Sequence, residues 1–183
     1  MKEIISIIII AVLFTSCGSD PLPKPKPYLK LTYPQVNYNK FNSECPYSFE
    51  VSKNAIVDLN SNCWIKIKYP KLKATIHITY REVDNNLNEI LKEVEKLTFE
   101  HTIKADIINS TPYENMERKV YGKLYNIEGN VATNIQFRVT DSVKNVLSGA
   151  LYFYAKPNYD SIVPAVKYLE KDIMRLVETL EWK

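Results

Sequence analysis

The residues of this chain with chemistry to offer are three cysteines, two histidines and a cluster of lysines. Cys17 follows Leu13-Phe14-Thr15-Ser16, so an apolar run ends in small residues just before a cysteine. That is the pattern of a bacterial lipoprotein signal, in which the cysteine is acylated and becomes the first mature residue. Several acyl chains (palmitate among them) would hold the protein on a membrane: one chain binds only marginally, and each buried CH₂ adds about 0.8 kcal/mol. The other reading of Cys17 is a buried thiol behind an ordinary signal peptide or a short membrane anchor. The polar, proline-rich sequence that follows at once favours lipidation. Cys45 and Cys63 remain as an even pair, and in an exported chain such a pair favours a disulfide. The alternative is two separate thiols, one of them buried beside Trp64.

The histidines, His77 and His101, are far apart, and neither HExxH nor CxxC occurs. A metal site needs three or four converging ligands, so none is expected, nor is any cofactor. Ser/His/Asp chemistry needs an oriented base. Here GxSxG is missing, and Asp160-Ser161 reads as a helix cap. The four glycines, Gly18, Gly122, Gly129 and Gly149, cannot spell a phosphate loop. Glu89, Glu93, Glu95 and Glu100 interleave with Lys92 and Lys96 as a solvated helix face does. The chain therefore reads as a non-enzyme with no identifiable small-molecule substrate. Lys66, Lys68, Lys71 and Lys73 fall on one expected hairpin, with Lys53 nearby. They are the candidate partner-binding residues, suited to anionic lipid, a cell-wall polymer or an acidic protein surface. Protection of an edge strand is the competing explanation. Lys plus Arg is 24 against Asp plus Glu 21, a formal +3. That is too weak a bias to suggest a nucleic-acid binder.

The elements that must position these residues follow from patterning. Residues 1–16 form the signal segment: the run Ile4 to Phe14, broken only by Ser6, is too short for a membrane span, which needs about 20 apolar residues. Residues 17–44 form a lipid-anchored stalk and extended segment. Its alternating prolines, Pro21 to Pro27, favour polyproline II at about 3.1 Å per residue, a spacer of roughly 20 Å. Tyr28, Tyr33 and Tyr38 would pack the following segment onto the body or face a partner. Residues 45–183 form one globular domain. Strands are expected around Tyr47–Val51, Ile65–Tyr69, Ile76–Tyr80, Val120–Ile127, Ile135–Val139 and Leu147–Tyr154. Helices are expected from Asp84 or Asn85 to about Thr98, extending towards Ala105, and from Asn158 or Asp160 through Leu180, with Pro164 tolerated in the first turn. The fold class is α+β, a mainly antiparallel sheet packed with two helices in βββα-βββα order. At the level of element order it is similar to the PsbP/Mog1 sandwiches.

Several stretches together carry a more specific resemblance: Cys17-Gly18 with Asp20 to Lys26, Glu44 to Glu50, Asn62 to Pro70, Thr98 to Asp106, Lys119 to Gly122, Gly149 to Ala155, Pro157 to Ser161, and Glu178 to Lys183. Over essentially its whole mature length the chain resembles the gliding-motility lipoprotein GldD family of the Bacteroidetes. The resemblance implies a cell-envelope lipoprotein required for gliding, acting as an accessory or scaffold component of the gliding and type IX secretion machinery, with protein partners there and its membrane contact through the lipid. Only the lipid-bearing cysteine transfers, onto Cys17. The alternative function is a binding or hydrolytic domain acting on a wall or surface polymer. Gly18 and Ser19 after the lipid site supply no aspartate for inner-membrane retention. The expected location is therefore the outer membrane, facing the periplasm, with the periplasmic face of the inner membrane or the cell surface as alternatives.

Overall fold

The computed structural model describes residues 33–100, 105–154 and 158–183. The leader, Cys17, the proline-rich segment and His101 lie outside these residues. In chain order the elements are β1 (Tyr38–Phe41), β2 (Tyr47–Ser52), β3 (Ile56–Leu59), β4 (Ile65–Tyr69), β5 (Ala74–Glu82), α1 (Leu87–Glu100), β6 (Ile107–Asn115), β7 (Val120–Glu128), β8 (Thr133–Thr140), β9 (Asn145–Phe153), α2 (Tyr159–Glu178) and β10 (Glu181–Trp182). A seven-stranded sheet has the order β3-β4-β5-β9-β8-β7-β6, and a three-stranded sheet has the order β1-β2-β10. All pairings are antiparallel.

The layers follow from period-two alternation. One face of the large sheet presents Ile65, Ile67, Ile76, Ile78, Ile135, Phe137, Leu147 and Leu151, all buried. Against it pack Tyr47 and Phe49 of β2 and the α2 stripe Val166, Leu169, Ile173, Leu176 and Val177. Gly149 belongs to this layer because the Phe137 ring lies over it: an added Cβ would stand 2.3 Å from a ring carbon. The opposite face carries α1 over a smaller core of Tyr125, Ile127 and Val131. Arg138 ties that helix down by donating to the Leu91 carbonyl at 2.9 Å.

The class is α+β, and all six expected strands and both helices are present. Four further strands change the simple βββα-βββα order. β3 and β6 are the two edges of the large sheet, mostly exposed along their lengths, so neither alternates cleanly. β6 also contains Pro112, which an edge tolerates because one side of the strand needs no ladder bonds. β1 and β10 are short and gain their pairing from β2. Two helix details correct the sequence-based expectation. Asn86, rather than Asp84 or Asn85, precedes α1, and its carbonyl accepts the Ile90 N–H at 3.0 Å; Asn85 sits at φ +54° in the turn before it. Pro164 stands beyond the first turn of α2. It therefore removes a bond from the helix interior instead of occupying a free N-terminal position. The spacing of Leu87, Ile90, Leu91, Val94 and Leu97 predicts one buried face for α1, and Leu97 departs from it, being 46% exposed.

Candidate functional site

The four candidate lysines divide into two places. Lys66 and Lys68 share one face of β4, as alternation requires, and Lys66 lies opposite His77 on β5. β4 is not an edge strand, because β3 covers it. Edge protection therefore does not explain these two side chains. Lys68 is occupied by an ion pair with Asp58 of β3. Lys71 and Lys73 instead sit in the turn between β4 and β5. There a single 3₁₀ turn, Pro70–Leu72, ends on Lys73 in the left-handed region at φ +48°, and the Lys73 N–H bonds the Pro70 carbonyl at 3.1 Å. Both lysines are exposed.

This turn lies at the end of the sheet where the described chain begins. Tyr33 packs its ring against Tyr168 of α2 with centroids 4.9 Å apart, and the Tyr168 hydroxyl donates to the Pro34 carbonyl at 3.1 Å. The Lys53 N–H bonds the Asn37 carbonyl at 2.8 Å. Residues 33–44 thus form a strap on the body, and the folded part starts upstream of Cys45. The strap is fastened by Asp172, a carboxylate only 4% exposed, which accepts a hydrogen bond from the Tyr38 hydroxyl at 2.9 Å. Its other oxygen meets no hydrogen-bond geometry among the described residues. Burial holds the Asp172 carboxyl above its ordinary value, while the Tyr38 and Tyr69 hydroxyls pull the other way. Burial also pushes the Tyr38 and Tyr69 phenols well up, and the neighbouring carboxylate adds to this. The Arg175 guanidinium lies 5.6 Å from the Tyr38 ring centre and is itself paired with Glu50 at 2.7 Å. One signal for this cluster is in the sequence: Asp172 falls on the apolar stripe of α2, directly beside Ile173.

Between strap and turn a cavity of about 400 Å³ is lined by Pro34, Asn54, Ile56, Tyr69, Pro70, Lys71, Leu72 and Tyr168. A second, smaller groove holds Asp58, Trp64, Lys66 and His77. Trp64 is 45% exposed, and its Nε1 donates to the Tyr80 carbonyl at 3.1 Å. His77 rests edge-on against Tyr152, and desolvation, then Lys66, lowers its pKa. The groove thus offers a neutral imidazole and a single carboxylate, Asp58, already engaged by Lys68. Among the described residues no three His, Cys, Asp or Glu side chains gather as a metal would need. At the far end of the sheet Cys45 and Cys63 are joined by a disulfide with a Cα–Cα distance of 5.6 Å.

The body thus has one end where the described chain begins and one end closed by a disulfide. A family model described as gliding motility lipoprotein GldD matches residues 18–182. The chain belongs to the GldD family. No curated protein matches it. The GldD match covers the proline-rich segment, the strap and both sheets as one stretch, and it starts at the residue after Cys17. Membership makes the chain a lipoprotein of gliding motility and associates it with a membrane of the cell envelope. No helix among the described residues is long and apolar enough to cross a membrane.

Proposed function

We propose that this GldD-family protein is a non-catalytic accessory or scaffold component of the gliding and type IX secretion machinery. Lipid on Cys17 tethers it to the outer membrane on the periplasmic side. The proline-rich stalk sets its height, and the folded body holds an envelope partner. The family match carries this reading, because it takes in the stalk and the complete body together. The strap supports it: a tether is of use only if the chain it pulls on is bound firmly, and residues 33–41 are bound to α2 and β2.

Replacing Cys17→Ala tests the proposal. The expected result is loss of the protein from the membrane fraction together with loss of gliding. Full motility in cells whose protein is entirely soluble defeats it.

A further inference from the structure

We infer that the Pro70–Lys73 turn and the cavity beside it are a seat for an anionic phospholipid of the leaflet that carries the anchor. This deepens the reading above and rests on its tethered orientation.

Three observations converge. The first is where the chain arrives. Pro34, the second described residue, is part of the cavity wall. Cys17 is then at most about 60 Å away along the chain, and a tether of that reach keeps the cavity at high effective concentration near the bilayer. The second is charge. Lys71 is on the cavity wall, Lys73 is two residues on, and Lys53 precedes the wall residue Asn54. None of these three makes an ion pair with a described carboxylate, whereas Lys68 close by is engaged by Asp58. The third is the apolar part of the same end. Ile56 is 54% exposed and Tyr154 64% exposed, and Tyr154 is held next to the turn by its N–H bond to the Lys73 carbonyl at 2.7 Å. Lysines without a described ion-pair partner, set around an aromatic and aliphatic hollow, match a lipid at its headgroup level. The ammonium groups meet the phosphate, the tyrosines sit at the interface, and Leu72 and Ile56 meet the upper acyl carbons.

The test uses the full-length lipidated protein reconstituted into vesicles, with Leu72→Trp as a reporter. The vesicles are phosphatidylcholine alone, or phosphatidylcholine with a quarter of phosphatidylglycerol, each with brominated acyl chains. Trp64 and Trp182 are native to the chain, so the protein without the reporter gives the background. The reporter should be quenched strongly in the anionic vesicles and little in the neutral ones. A lysine near an anionic surface is worth about fivefold in partitioning, so Lys71→Glu with Lys73→Glu should abolish the difference. Lys66→Glu, on the sheet face, should leave it intact. Raising the salt should relieve the quenching with no further substitution, which guards against a misfolded variant. Protein that floats with the vesicles but shows equal quenching in both lipids, or none, overturns this inference alone. Protein that does not float overturns the anchor, and the inference with it.

Discussion

Asp172 shows what a single charge does when a helix carries it into the core. Burial leaves it little access to solvent, so the ionised form is disfavoured, and the hydroxyls of Tyr38 and Tyr69 offset part of that cost. Its folded pKa is raised, so over the interval between the ordinary and the raised value the folded state binds more protons than the unfolded. Stability therefore increases as pH falls through the folded pKa, and the increase is complete at the unfolded value. Near neutral pH the charge is a net cost that the hydrogen bond from Tyr38 only partly recovers. Asp172→Asn keeps an oxygen for the Tyr38 hydroxyl at 2.9 Å and removes the charge. The variant should be more stable than the parent near neutrality. The gap should close as the pH approaches about 4, the ordinary carboxylate range. Urea unfolding at a series of pH values reads this directly. A difference that does not change with pH would mean that the carboxyl is not held above its usual range.

At the scale of elements, the two sheets are coupled through α2 in the middle and through the disulfide at one end. Cys45 lies just before β2, and Cys63 lies in the left-handed region at φ +57° just before β4. The Tyr47 hydroxyl adds a hydrogen bond to the Cys63 carbonyl. In the chain-entropy model a loop of this length contributes about 3 kcal/mol by restricting the unfolded chain. The double variant Cys45→Ser, Cys63→Ser should lose stability of that order in urea, and reduction of the parent should reproduce the loss. Unfolding midpoints that do not respond to reductant would mean that the two thiols are free in the exported protein. The elements with two-state burial were legible in the sequence. Ile65, Ile67 and Tyr69 against Lys66 and Lys68 name both the strand and its faces, and the α2 stripe names its buried side. β3, β6 and β10 were not legible, for a physical reason. Edge strands and a two-residue pairing need only backbone partners, so Ile56, Pro112 and Glu181 carry no alternation. The division of the lysines depended on β3 as well: without it β4 reads as an edge, and Lys66 and Lys68 read as its guard.

At the scale of the whole molecule the strap decides where the folded body begins. Residues 33–44 give β2 a neighbour in β1 and stack Phe41 on Phe49 with ring centroids 5.4 Å apart. Through Lys40 they reach Glu181 of β10, where Arg118 also binds. Under the proposed lipid tether, a load on the chain upstream of Tyr33 would meet this strap before it met the core. The strap is antiparallel to β2 and held at Tyr33, Tyr38, Lys40 and Phe41, so load spreads over several contacts instead of one. A chain that begins at Cys45 would leave Asp172 buried without its Tyr38 partner, expose one side of β2 and strip the cover from Phe49. Loss of the hydrogen-bond donor from a buried carboxylate costs about 1–3 kcal/mol, and a lost aromatic contact adds about 1 kcal/mol. Together these are a large share of the stability of an ordinary domain at the lower end of about 5–15 kcal/mol. A chain starting at Tyr33 should therefore melt cooperatively as a monomer. One starting at Cys45 should unfold at a much lower temperature or aggregate, as read by thermal melts and size-exclusion chromatography. If the shorter chain melts at the same temperature as the longer, the strap is dispensable for the fold and could not carry load from the anchor to the body.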